Sequence, residues 1–190
     1  ICGDIARRLL ITFPDLLISA PLREEFTSIA QHQRQIAIIA DQEDCPGRTD
    51  LMPHQRVGSK WLQLVKRGVL ADEAGLGKTV TAIDAADSVQ PRSKYPLVVC
   101  QKSKINDWEE HIQTWSTDPS RWTVTNYAQI LLRDIQADLI ILDEAHNMRN
   151  RKTQISKRLR HLAREADHVF ILTGSPLINE PTDLWPLLAM

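Results

Sequence analysis

Val69-Leu70-Ala71-Asp72-Glu73-Ala74-Gly75-Leu76-Gly77-Lys78-Thr79 decides the fold: a short apolar run, a loop with two glycines, then a lysine–threonine pair that opens a helical pattern. A strand that breaks into a glycine loop and continues as a helix is the setting of a phosphate-binding loop. Gly75 and Gly77 permit backbone angles and a close approach that a Cβ would block, so successive N–H groups can face phosphate oxygens. A helix starting near Lys78 presents free N–H donors and the positive end of its dipole to the same anion. Lys78 is placed to neutralise β- and γ-phosphates, and the Thr79 hydroxyl to ligate Mg²⁺. The binding set is therefore Asp72, Glu73, Ala74, Gly75, Leu76, Gly77, Lys78 and Thr79. Asp72 stands where the pattern G-x-x-x-x-G-K-[ST] has its first glycine.

The second signal is Leu139-Ile140-Ile141-Leu142-Asp143-Glu144-Ala145-His146. Four apolar residues end in two carboxylates, which puts the acids at the carboxyl edge of a strand. Asp143 is suited to hold Mg²⁺ through its water shell, and Glu144 to orient and deprotonate an attacking water.

Working outward, apolar runs at 68–71, 96–100, 122–125, 137–142 and 168–172 alternate with helical patterns near 78–88, 104–115 and 153–166. Three of the runs are continuously apolar, as expected of strands covered on both faces. Such alternation implies a parallel sheet between helices, with ligands at the carboxyl ends of the strands. Before residue 48 the character changes. Residues 22–40 read as a helix, residues 9–17 are ambiguous, and Cys45-Pro46-Gly47-Arg48 is a turn signal. The expected organisation is a helical extension over 1–48, of no legible role, and an α/β domain over 49–190.

Composition narrows the class. At 190 residues with 43% hydrophobic and 25% charged residues, the chain can bury a proper core. No run is long enough for a membrane span, and Ile1-Cys2-Gly3-Asp4 opens no signal peptide. The missing initiator Met and the stop at Met190 suggest a chain cut from something longer. Three scattered cysteines, Cys2, Cys45 and Cys100, argue for a reducing compartment and against a zinc site. Net charge is −1, yet the stretch from Arg149 to Arg164 has seven Lys or Arg and no acid. The five tryptophans read as core residues rather than base-stacking platforms.

The two motifs together resemble superfamily-two helicase-like ATPases, and the surrounding blocks are similar to the Swi/Snf type. These are Leu51-Met52-Pro53-His54-Gln55 with Trp61-Leu62, then Leu97–Ser103 with Trp108–Ile112, then Val124-Thr125-Asn126-Tyr127, then Asp143–Asn150, and finally Leu172–Asn179 with Leu184-Trp185. The resemblance spans 51–190. It implies a RecA-like P-loop three-layer sandwich with a mostly parallel sheet, ATP and Mg²⁺ as ligands, and double-stranded DNA as partner. It further implies that Gln55 reads adenine, and that Lys102, Ser103, Thr125 and Asn126 touch DNA. Thr173 and Ser175 would couple the nucleotide and DNA sites, with His146 as partner, and Arg149, Arg151 and Lys152 join the DNA candidates. Gln101 stands where the family usually has proline, Arg149 where it has lysine, and Ser175 where threonine is commoner.

The expected function is the ATP-binding first lobe of a DNA-dependent translocase that remodels DNA or protein–DNA complexes. It is an ATP hydrolase in the full-length protein, and the lobe alone should be hydrolytically weak. The second RecA-like lobe, whose arginines complete the γ-phosphate pocket, is expected elsewhere in that protein. Two other readings share these motifs: a strand-separating helicase or restriction-type translocase, and a nucleotide-dependent switch or scaffold. The expected location is intracellular, cytoplasmic in a prokaryote or nuclear in a eukaryote, with no membrane association.

Overall fold

The computed structural model describes residues 20–132, 134–144 and 153–174, with only the backbone given for 20–27, 29 and 30. Two compact units divide between Gln42 and Glu43. The first contains helix α1 (Ala20–Ala40), close to the helix expected at 22–40. Ile36 and Ile39 are its half-buried apolar side chains, and Ile38 is exposed. The second unit begins at Glu43, ahead of the boundary at 48/49 read from the turn signal. Arg56 pairs with Asp44, and the Arg48 guanidinium donates to the Trp115 carbonyl at 2.7 Å, so the turn belongs to the α/β unit.

That unit runs α2 (Pro53–Val65), β1 (Arg67–Leu70), α3 (Lys78–Ser88), β2 (Pro96–Cys100), α4 (Ile105–Trp115), β3 (Thr123–Asn126), β4 (Leu139–Asp143), α5 (Gln154–Glu165) and β5 (His168–Leu172). The five strands form one sheet in the order β1-β5-β4-β2-β3, with every neighbouring pair parallel. β2 and β5 are buried along their whole length, and β4 along all but its last residue. Side chains alternate between the two faces. Val98, Cys100, Leu139, Ile141, Phe170 and Leu172 pack with Leu62 of α2, Ile83 of α3 and Trp108 and Ile112 of α4. Leu97, Val99, Ile140, Leu142, Val169 and Ile171 pack with Leu159, Leu162 and Ala163 of α5. Each fully buried Leu, Ile or Phe contributes roughly 1.5–3 kcal/mol. Helices on both faces of a parallel sheet make the three-layer RecA-like sandwich that the motifs implied.

Among the described residues, α2 is the one α-helix of this unit that the sequence reading did not identify. Pro53 occupies its first turn, and Gln55 Oε1 accepts from Met52 N at 3.0 Å, which satisfies a donor at the helix start. α5 starts at Thr153, whose hydroxyl accepts from Ser156 N, and ends where Arg67 donates to the carbonyls of Ala163 and Ala166. Among the described residues no helix is long and apolar enough to cross a membrane. Cys45 and Cys100 are free and buried; burial pushes the Cys100 thiol up to about 12, so it behaves as a small hydrophobe.

Candidate functional site

Strand order builds the site. β1 carries the glycine loop and β4 the acidic pair, with β5 between them. Two strand spacings separate the tips by about 10 Å, which leaves room for a phosphate chain. The last backbone bonds lock this edge: Glu144 N donates to Leu172 O at 3.0 Å, and Thr173 N to Leu70 O at 3.1 Å.

In the loop, Gly75 and Gly77 have φ of +88° and +76°, the left-handed region that glycine alone enters freely. Nothing lies within 4 Å of where a Gly75 Cβ would be, so its backbone is open to a ligand. Gly77 is different, because a Cβ there would run into the Gln55 amide nitrogen. Gln55 Nε2 donates to the Leu76 carbonyl at 3.2 Å, and His54 Nε2 is 3.1 Å from the same oxygen. The first turn of α2 thus braces the loop from behind. Lys78 Nζ donates to the carbonyls of Asp72 and Glu73 at 2.8 and 2.9 Å, which holds the ammonium over the loop.

Across the gap, Asp143 is held on two sides. Trp108 Nε1 donates to Asp143 Oδ2 at 2.9 Å, and the Tyr127 hydroxyl to the Asp143 carbonyl at 2.8 Å. Burial raises the Asp143 pKa; the Trp108 hydrogen bond opposes this, the Glu144 charge adds to it, and Lys104 and Lys78 oppose it. Glu144 has a φ of +51° that turns the chain out of the strand. A Cβ on Gly174 would lie 3.7 Å from Glu144 Oε1 and 3.9 Å from Lys78 Nζ, so the lysine and the glutamate face one point above the β5 end.

The glycines, Lys78, Asp143, Glu144 and Trp108 line one cavity of about 540 Å³, within the usual range for ligand pockets, whereas Gln55, Asp72, Glu73 and Leu76 lie outside its wall. Gly75, Gly77, Lys78 and Thr79 form one wall and Asp143 and Glu144 another. Asp107, Trp108 and His111, at helical spacing on α4, close the third together with Lys104 from the turn just before it. Lys104 pairs with Asp107 at 2.8 Å. Among the described residues no group of three His, Cys, Asp or Glu could hold a metal unaided. One carboxylate and one hydroxyl beside a phosphate cradle suit Mg²⁺, which is commonly held by one or two protein oxygens together with phosphates and water.

A family profile described as SNF2-related domain matches residues 54–130 and 124–190. The chain belongs to the SNF2-related domain family. It is 29% identical over 174 residues to the ISWI chromatin-remodeling complex ATPase ISW1 of Saccharomyces cerevisiae, covering 73% of this chain and 15% of the yeast protein. It is 30% identical over 199 residues to the SWI/SNF-related matrix-associated actin-dependent regulator of chromatin subfamily A-like protein 1 of Xenopus tropicalis, covering 93% and 21%. The fold matches the Sulfolobus solfataricus SWI2/SNF2 ATPase core in complex with dsDNA at TM-score 0.66 and 27% identity, over 78% of this chain and 37% of that one. The chain therefore spans a minor part of these relatives.

The other predicted residues of this SNF2-related domain fall into four groups. Lys102 and Ser103 are exposed in the single turn Lys102–Lys104 between β2 and α4, open to a partner. Thr125 and Asn126 depart from the expectation of DNA contact. Thr125 is fully buried and paired in register with Val99, on the sheet face where Tyr127 and Ile130 pack. Asn126 is buried too, and its Oδ1 accepts from Ala128 N and Gln129 N, which closes the turn after β3. Thr173 is buried directly after β5, where its N–H donates to Leu70 O, and it does not line the cavity. His146, Arg149, Arg151, Lys152 and Ser175 lie outside the described residues, as do Cys2 and Trp185.

Sequence reasoning missed the cavity wall on α4 and the bracing role of His54. It took Trp108 for a core tryptophan, and the ring is only 2% exposed, yet its indole N–H reaches Asp143. The usable signal was chemical: a buried indole N–H requires an acceptor.

Proposed function

We propose that this SNF2-related domain is the ATP-binding lobe of a DNA-dependent ATPase that moves along double-stranded DNA and remodels DNA or protein–DNA complexes. The observation that carries this reading is the meeting of Lys78, Asp143 and Glu144 at one cavity behind a left-handed glycine loop.

The backbone N–H groups of the loop and the start of α3 bind the phosphates, and Lys78 leaves its two loop carbonyls to neutralise the β- and γ-phosphates. Thr79 and Asp143 would hold Mg²⁺. That ion, when bound, offsets charge on the phosphate oxygens. Glu144 faces Lys78 from the strand side and takes the proton of the attacking water. Gln55 uses one donor and one acceptor of its amide on Leu76 O and Met52 N, and keeps one of each for an adenine edge.

For DNA, Lys102 and Ser103 are the exposed candidates, and the basic stretch 149–164 supplies further cations, of which Lys157 and Arg164 are exposed on α5. Contacts of this kind bind phosphates irrespective of sequence and weaken with salt. The likeness to the Sulfolobus core, which is in complex with dsDNA, favours a duplex over other partners. Full turnover calls for a second RecA-like lobe of the same protein, whose arginines can be worth about 10³–10⁵ in rate. The surroundings would be intracellular, cytoplasmic in a prokaryote or nuclear in a eukaryote.

The test is titration of a fluorescent ATP analogue with Mg²⁺ into this chain, together with ATP hydrolysis by the full-length protein with and without duplex DNA. Saturable Mg²⁺-dependent binding and DNA-stimulated turnover are expected. Failure of the analogue to bind, or turnover by the full-length protein indifferent to DNA, would overturn the reading.

A further inference from the structure

Trp108 is the fourth residue of α4 and the only tryptophan in the cavity wall among the described residues. Its ring is 2% exposed and packs in the cluster that includes Ile112, Cys100 and Ile141. Packing on that scale fixes the ring plane, and so fixes where the N–H points. An indole can only donate, and a buried donor requires an acceptor. Here the acceptor is a carboxylate oxygen, Asp143 Oδ2 at 2.9 Å, and hydrogen bonds to an ionised acceptor are the stronger kind. The backbone of Asp143 is pinned independently by the Tyr127 hydroxyl on its carbonyl, and the next residue by Glu144 N on Leu172 O. With its main chain held and Oδ2 engaged, the carboxylate has Oδ1 left for a ligand.

We infer that Trp108 is a positioning residue for the metal–nucleotide complex: its indole N–H holds the Asp143 carboxylate in the orientation that Mg²⁺ binding needs before the ligand arrives. This rests on the reading of the cavity as a Mg²⁺–nucleotide site. Groups that orient a metal-binding carboxylate from behind typically change metal affinity by roughly 10–100-fold when removed. A tryptophan that merely filled the core would support folding and leave the metal requirement alone.

Trp108→Phe keeps an aromatic body and removes the N–H. Binding of a fluorescent ATP analogue is measured on this chain in EDTA and then across a Mg²⁺ titration. The expected result is a half-saturating Mg²⁺ raised roughly ten-fold, a larger change than any in nucleotide affinity in EDTA. Asp143→Asn raises the Mg²⁺ requirement by itself, and adding Trp108→Phe to it changes the requirement no further. An unchanged Mg²⁺ requirement in Trp108→Phe, equal weakening with and without Mg²⁺, or full additivity with Asp143→Asn overturns the inference. Should Trp108→Phe fail to fold, the Trp108 indole ¹H–¹⁵N resonance of the unsubstituted chain decides. A shift on adding Mg²⁺–nucleotide, beyond that with nucleotide in EDTA, supports the role, and equal shifts overturn it. If the unsubstituted chain binds no nucleotide under any condition, the site reading falls and this inference with it.

Discussion

Gln55 and Gly77 fit together only because position 77 has no side chain: a Cβ there would overlap the Gln55 amide nitrogen that braces the phosphate loop. Gly77 also has a φ of +76°, which costs other residues about 1–2 kcal/mol. Gly77→Ala should therefore weaken binding of a fluorescent ATP analogue by about ten-fold or more, equivalent to ~1.4 kcal/mol. Gln55→Ala removes the overlap and leaves the strain, so the double variant should lose less affinity than the two single losses combined. Strict additivity in that cycle would show that the two residues do not interact.

Lys78 is bonded to two carbonyls of its own loop, Asp72 O and Glu73 O, and its removal leaves those oxygens to water. Lys78→Ala should abolish detectable nucleotide binding, a loss of about 100-fold or more, with the thermal midpoint moved by only a few degrees, within the range of ~1 kcal/mol. Calorimetry and titration on the same preparation check both halves. Unchanged affinity would remove Lys78 from the site.

Arg121 and Asp87 form an ion pair with side-chain exposures of 8% and 5%. Asp87 also accepts from Ser116, Thr117 N and the Thr117 hydroxyl, and Arg121 donates to Ser93 O. Removing one partner strands the other in a dry setting. Arg121→Ala should cost about 3–5 kcal/mol in urea unfolding. The cluster lies at the amino ends of β2 and β3, away from the cavity, so nucleotide affinity of the folded variant should stay within about two-fold.

His168 is buried at the start of β5, and burial, followed by the nearby Lys66 charge, lowers its pKa from 6.5. The unfolded chain then binds more protons than the native one below pH 6.5, so stability falls as pH drops through that value towards the lowered native pKa. The slope contributed is at most about 1.4 kcal/mol per pH unit. Unfolding midpoints measured between pH 5 and 8 should show that slope in the natural sequence. His168→Gln should flatten it, and an identical slope in the variant would exclude His168 as its source.

Much of the site was legible from the chain because its two motifs are local. A glycine loop read with the helix after it, and an acidic pair read with the apolar run before it, need only neighbours in sequence to be interpreted. The same holds for β2, β4 and β5, where burial on both faces demands uninterrupted Val, Ile and Leu. α2 was harder to read, since Pro53 and Gly58 interrupt its pattern and its first turn serves the loop as much as the core. Thr125 and Asn126 came as DNA contacts from the resemblance alone, and their burial at the end of β3 shows only once the chain around that strand end is seen to close over it.

Sequence by itself determined that this chain makes a parallel sheet with a phosphate loop and an acidic edge, because strand, loop and helix propensities act over a few residues. The tertiary structure decided what those pieces face. Inserting β5 between β1 and β4 sets the gap that Lys78 and Glu144 share, and laying α4 across the sheet brings the Trp108 indole to Asp143. Such pairings depend on strand order and helix placement, which are fixed by packing of the whole core rather than by any short run of residues.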